Sequence, residues 1–168
     1  MYNISIIIPC YNEESRLPAT LEKIETWLKI QKTFKIELIL SNDGSNDNTI
    51  GIMNSAKIEL EKNKLCEVKI FDFVHRGYIE TLFDSYKKSS NNIVCNMEAD
   101  CSIHPKYFEI FSKFLDKYDM IQGSRILKSP EFKSDNKNLM RSFVSNFFSL
   151  LFRLIFGCKI YDPQCGFK

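Results

Sequence analysis

The 168-residue sequence predicts an α/β fold, a mostly parallel sheet doubly wound with helices on both faces. Two observations carry the prediction. Short apolar runs alternate with longer amphipathic stretches, β-α four times and then β, which is the order of a parallel sheet with crossover helices. The joints between them hold turn residues and helix-starting prolines, so the runs are bounded.

In chain order, Ile4–Ile8 reads as a buried strand stopped by Pro9. Leu17, Leu21, Ile24, Trp27 and Leu28 recur at helical spacing and place a helix over Leu17–Ile30. Ile36–Leu40 is the second strand, closed by Ser41-Asn42-Asp43-Gly44-Ser45. Asp-Gly between apolar runs is also a hairpin signal, but the helical look from Asp47 to Asn63 favours a strand-to-helix turn. A strand at Val68–Val74, a helix at Tyr78–Lys88 and a strand at Ile93–Met97 follow. Pro105 suits the first position of a helix over Lys106–Asp116, and Met120-Ile121 reads as a last short strand. Residues 126–138 read as a flexible loop.

Composition narrows the function classes. Apolar residues make up 44% and charged residues 26%, the balance of a globular domain rather than a disordered chain. Net charge is +2, divided as −3 over residues 1–120 and +5 over residues 121–168. The basic segment is dominated by Phe and Leu rather than by a Lys/Arg stripe, which argues against a nucleic acid partner. The six cysteines form no C-x-x-C pair and the two histidines complete no zinc pattern, so a reducing, cytosolic setting with free thiols is expected. No leader pattern opens the sequence and no run is long enough to span a bilayer.

In wound sheets, ligands bind outside the carboxyl ends of the strands. Pro9–Glu13, Ser41–Ser45, His75–Gly77, Glu98–Ser102 and Gly123–Arg125 are therefore the candidate site segments. G-x-G-x-x-G and the P-loop pattern are both absent, so a bound diphosphate would need side-chain cations and a metal. Glu98 and Asp100, two apart after a strand, can serve a hard divalent cation or be an ordinary solvated strand end. Leu139–Phe156 carries twelve apolar residues among its eighteen, with Arg141, Ser145, Ser149 and Arg153 at four-residue steps. Such a stripe drifts across roughly 120° of a helix and leaves a broad apolar face. Either a core or homodimer helix, or an amphipathic helix at a membrane interface, accounts for it.

Taken in order, these segments resemble the family 2 glycosyltransferases of GT-A fold. The residues are Ile6-Ile7-Ile8-Pro9-x-Tyr11-Asn12-Glu13-Glu14, Asn42-Asp43-Gly44-Ser45-x-Asp47-x-Thr49, Glu98-Ala99-Asp100 with Pro105, and Gly123-Ser124-Arg125. Arg141-x-x-x-Ser145 and Asp162-Pro163-Gln164-Cys165-Gly166-Phe167-Lys168 are similar to the dolichyl- and polyprenyl-phosphate sugar synthases, the latter in its glucosyltransferase version.

The resemblance implies an inverting, metal-dependent hexosyltransferase. Its donor would be a nucleotide-diphosphate sugar, UDP-glucose first and GDP-mannose next, and its acceptor a polyprenyl or dolichyl phosphate. It further implies that Pro9, Tyr11, Glu13 and Asp43 contact the nucleoside, and that Glu98 and Asp100 hold Mg2+ or Mn2+. Arg125, Arg141 and Lys168 would bind phosphate, with Arg76 loosely matching a further basic position. Residues 1–125 would form the nucleotide-sugar core. Residues 126–168 would form an acceptor-side loop and an interfacial helix, peripheral on the cytosolic face of a membrane.

Two other readings are open. A glycan or protein acceptor would require a general base, for which Asp162 is the candidate, and a nucleotide-sugar-binding module would transfer nothing. The sequence departs from the family pattern at Asn42 and Glu98, where Asp is usual, and at His75, where Asn is usual. Ser102 stands where some mannose synthases place a third metal ligand. Family members usually continue beyond the point corresponding to Lys168.

Overall fold

The computed structural model of the chain describes residues 1–124, 139–158, 160, 162, 163 and 165–168, with only the backbone of 139–143. Its elements are β1 (Tyr2–Cys10), α1 (Leu17–Ile30), β2 (Phe34–Asp43), α2 (Thr49–Leu60), β3 (Cys66–Phe73), α3 (Tyr78–Lys88) and β4 (Ile93–Asn96). A 3-10 turn at Pro105–Tyr107, α4 (Phe108–Ser112) and α5 (Leu139–Phe156) follow. The chain divides into two compact units, residues 1–121 with Phe167 and residues 122–166 with Lys168.

In the first unit the four strands form one sheet in the order β3-β2-β1-β4, every pair parallel. The chain moves outward from β1 through β2 to β3, then returns to the other side of β1 as β4. The switch point thus lies between β1 and β4, and its crevice opens at their carboxyl ends.

The pleat sends alternate side chains to opposite faces, and both faces are covered. Phe34 meets Trp27 of α1, with ring centroids 6.2 Å apart, while Ser41 hydrogen-bonds Ser85 of α3 across 2.6 Å. Even positions of β2 therefore face α1 and odd positions face α3. Burial on both faces explains why β1 and β2 read as near-continuous apolar runs. Ile6, Ile7, Ile8, Leu38, Ile39 and Leu40 are all buried. At about 1.5–3 kcal/mol for each such side chain removed from water, this layer supplies much of the driving force for folding.

Three expectations are corrected. Pro9 does not stop β1, which runs on to Cys10. Ile7 accepts from Met97 N–H, so odd residues of β1 turn their backbone toward β4, and β4 pairing ends at the Ile7–Asn96 register. Pro9 lies past that end, where a missing N–H forfeits no ladder bond. The helix expected over Lys106–Asp116 forms only as the 3-10 turn and α4, then decays into turns. Phe108 alone of α4 is buried, stacked on Phe167 at 4.3 Å, so too narrow an apolar face is covered to hold further turns. Met120 and Ile121 join no strand.

Candidate functional site

Two loops at the carboxyl rim are stitched together by side chains. Asn12 N–H donates to Ser45 Oγ (2.9 Å), Asn46 N–H to Asn12 Oδ1 (2.9 Å) and Glu13 N–H to Thr49 Oγ1 (2.8 Å). Glu14 N–H donates to Asp47 (3.0 Å) and Asn48 N–H returns a bond to Glu14 (2.9 Å). Asn12 adopts φ +54°, a left-handed conformation that asparagine tolerates and that turns the β1–α1 loop toward the β2–α2 loop. The short polar residues of both motifs thus satisfy each other's backbone.

Asp43, the last residue of β2, is 3% exposed. Its carboxylate accepts from Arg76 N–H and Gly77 N–H, each at 2.9 Å. Burial pushes its pKa up, but those bonds, the Thr81 hydroxyl and the nearby His75 outweigh it and hold the carboxyl below its ordinary value. Asp43 therefore ties the β3–α3 loop over the end of β2. Gly44 makes the close approach feasible, since a Cβ there would lie 2.8 Å from the His75 nitrogen at a φ of +65°. The result is an aromatic surface: Tyr11 stacks on His75 with centroids 4.2 Å apart, and both remain substantially exposed. Arg76 extends its guanidinium to Asp84 of α3.

At the end of β4, Thr20 of α1 donates to Ala99 C=O (2.6 Å), pinning the segment that bears Glu98 and Asp100. Asp100 is exposed, with Oδ1 held by Ser102 N–H (2.9 Å) and Ser102 Oγ (2.6 Å). Its Oδ2 has no partner among the described residues. Glu98 is half-buried, and its charge, after burial, raises the pKa of Tyr78. An oriented carboxylate with a free oxygen, two residues from a second carboxylate, suits a hard cation that draws its other ligands from water and diphosphate. No group of three or more His, Cys, Asp or Glu gathers among the described residues.

The remaining expected site residues are placed as follows. Pro9 is buried in β1, and Glu13 ion-pairs with Arg16 at 2.6 Å. In the second unit, Asp162 is buried, its carbonyl accepting from Cys165 N–H (3.0 Å) and Gln122, and Lys168 reaches Pro163 C=O at 3.4 Å. Arg125 and the Arg141 side chain lie outside the described residues. Sequence reasoning missed Ser45 and Thr49 as clasp residues, and Asp72. The first two were quoted within motifs and could have been found as hydroxyls beside helix starts. Asp72 becomes visible only when β3 is registered against β2.

The profile for glycosyl transferase family 2 matches residues 5–167. An undecaprenyl-phosphate 4-deoxy-4-formamido-L-arabinose transferase of Pectobacterium atrosepticum is 24% identical over 165 residues, which cover 97% of this chain and 47% of that protein. A dolichyl-phosphate β-glucosyltransferase of Trichomonas vaginalis is 26% identical over 171 residues, or 98% and 52% of the two chains. The chain thus spans about half the length of these curated relatives. Among solved structures, the glucosyl-3-phosphoglycerate synthase of Mycobacterium tuberculosis with phosphoglyceric acid superposes with a TM-score of 0.64 at 19% identity, covering 99% of this chain and 55% of that one. The same synthase has been solved with Mn2+, UDP and glucosyl-3-phosphoglycerate, a structure that superposes with a TM-score of 0.54 at 22% identity over 72% of this chain and 42% of that one.

Proposed function

The chain belongs to glycosyl transferase family 2, and from that membership we propose that it binds a nucleoside-diphosphate sugar at the carboxyl rim of its sheet and passes a hexose to a polyprenyl phosphate. The observation that carries this reading is the arrangement at the rim. An exposed Tyr11–His75 stack, a hydrogen-bonded clasp of two loops and a carboxylate pair all follow strands of one sheet whose switch point lies between β1 and β4. Tyr11 offers a face to the base, supported by Pro9, Glu13 and Asp43. UDP-glucose is the favoured donor and GDP-mannose the next.

Glu98 and Asp100 would hold Mg2+ or Mn2+, which when bound neutralises charge on the diphosphate. The synthase solved with Mn2+ and UDP supports a divalent cofactor. Arg76, Arg125, Arg141 and Lys168 are the proposed cationic contacts to phosphate. Residues 1–125 are assigned the nucleotide-sugar core and residues 126–168 the acceptor side. An acceptor phosphate is already anionic at neutral pH, so placing it against the anomeric carbon replaces general-base catalysis. A hydroxyl acceptor would instead call on Asp162. The names of the two relatives, both prenyl-phosphate sugar transferases, favour the phosphate acceptor.

No helix among the described residues is long and apolar enough to cross a membrane. On α5, Val144, Phe147, Leu154 and Ile155 are exposed while Ser149 is buried. That exposed apolar surface supports the interfacial placement of Leu139–Phe156 on the cytosolic face of a membrane, where a lipid acceptor resides. A binding panel of UDP-, GDP- and dTDP-sugars with and without Mn2+, followed by transfer assays on polyprenyl phosphate and on free glycans, tests the proposal. One nucleotide should bind more tightly with metal, and the lipid phosphate should be the better acceptor. Failure of every nucleotide to bind refutes the reading; preference for glycans refutes its acceptor.

A further inference from the structure

β3 lies at an edge of the sheet, and its outer side can be followed residue by residue. Ile36 N–H donates to Leu65 C=O (2.7 Å), so odd residues of β3 turn their backbone toward β2 and even residues turn theirs outward. The first even residues are covered. Cys66 N–H donates to Asn63 C=O (2.9 Å), Val68 N–H to Glu61 Oε1 (3.0 Å), and Lys57 Nζ to Val68 C=O (2.6 Å). Ile70 and Asp72 come next, and their outward N–H and C=O groups have no partner among the described residues. Side chains at the end of α2 thus seal half of this edge and leave the other half as an unfilled ladder.

Charges that usually guard an exposed edge are drawn inward here. Lys69 Nζ donates to Glu37, and Asp72 Oδ1 accepts from Asn42 Nδ2 (2.7 Å), so both side chains lean over their own sheet. No proline interrupts β3. On the odd face α3 packs chiefly on β1 and β2, and Phe71 and Phe73, with ring centroids 6.0 Å apart, stay half-buried. Val74, just past the strand, is 82% exposed. Backbone groups that lack a neighbouring strand and apolar side chains that lack cover occupy the same stretch of chain.

We propose that Ile70–Phe73 is the seat of a homodimer, pairing antiparallel with the same segment of a second copy across a two-fold axis at Phe71. Such an axis fixes which residues face each other, and only registers centred on Ile70, Phe71 or Asp72 bring the open groups together. An axis at Asp72 opposes two like carboxylates. An axis at Ile70 sets Asp72 against Val68, whose N–H and C=O are already taken by Glu61 and Lys57. An axis at Phe71 sets Ile70 of each copy against Asp72 of the other. Each of those two pairs exchanges two hydrogen bonds, so every open donor and acceptor is used. The same register joins the two Phe71 rings at the axis, lays Lys69 opposite Phe73 and opposes no like charges. This match of the segment to itself selects a second copy over a foreign strand.

Sedimentation velocity of the full chain from micromolar to submillimolar concentration, the range for an interface this small, should show monomer passing to dimer. Ile70→Pro removes an outward N–H and no bond to β2, so the melting temperature at dilute concentration should hold while dimerisation weakens at least about tenfold. Phe71→Cys reads the register. Cysteines facing each other in a non-hydrogen-bonded pair lie within disulfide reach, so mild oxidation should yield a covalent dimer. Phe73→Cys, set opposite Lys69, should yield none, and neither should the wild type, whose native cysteines are mostly buried. A wild type that stays monomeric overturns the proposal, and so does a dimer that Ile70→Pro leaves intact, which would place the contact elsewhere, as on α5. Should Ile70→Pro fail to fold, the cross-link still decides. No covalent dimer in Phe71→Cys, or as much of it in Phe73→Cys, overturns the proposal.

Discussion

Toward the amino ends of the strands, Glu37 is buried between β1 and β3 and accepts from Ser5, Lys69 and Ser90 N–H (2.9 Å), while Asn91 closes the group by donating to Ser5 (3.1 Å). At the carboxyl ends of the same sheet, Asp72 and Asp100 are each oriented through one oxygen, and the other has no partner among the described residues. Burial raises the pKa of Glu37, but bonds from Lys69, Ser5 and Ser90 reverse the effect and pull it down to about 2. Both regions hold carboxylates fixed by hydrogen bonds. One spends every acceptor on the fold, and the other keeps acceptors back. The number of lone pairs left unmatched, rather than charge itself, separates a structural cluster from a candidate binding site.

Breaking the amino-end cluster should have the largest effect on stability. Glu37→Ala removes the carboxylate shared by Ser5, Lys69 and the Ser90 N–H, leaves Lys69 with the Ser90 hydroxyl (2.7 Å), and should cost about 3 kcal/mol, the lower end for a broken buried pair, measured by urea denaturation. Acid titration sharpens the same point. Because the folded pKa of Glu37 lies below its ordinary value of 4.5, its contribution is fully present above the unfolded pKa and is lost as pH falls through about 2. That contribution is on the order of 3 kcal/mol at one pKa unit per about 1.4 kcal/mol. Its loss should be missing from the acid-unfolding curve of Glu37→Gln.

At the rim the expected signs reverse, with function moving and stability staying put. Asp100→Asn should lower metal-dependent transfer at least a hundredfold, about 2.7 kcal/mol, with an unchanged melting temperature. Full turnover by that variant at ordinary Mn2+ removes Asp100 from the metal assignment. The smallest effect is expected at Tyr11→Ala, where loss of one stacking face should weaken nucleotide binding about tenfold, read by calorimetry. A large drop in its stability instead would return Tyr11 to the structural side of the comparison.

Much of this was legible in advance because its causes are local. The apolar runs around Ile6 and Ile39, the helical spacing from Leu17 to Leu28, and the turn at Asn42-Asp43-Gly44-Ser45 all rest on neighbours within a few residues. The same logic failed at Pro9, where the strand continues because β4 has already ended beside it. It failed again after Phe108, where only one residue of α4 finds a buried face.

The order of motif residues along the chain was enough to nominate strand ends for chemistry and Glu98 and Asp100 for a cation. Which of those residues are consumed by the fold was decided only when the strands were set in register. Asp43 is taken up by Arg76 and Gly77, 33 and 34 residues on, while Asp72 is aimed by Asn42 across 30 residues. A hydrogen bond saturates, so an acceptor's availability depends on everything within about 3 Å of it, and sequence separation carries no record of that distance.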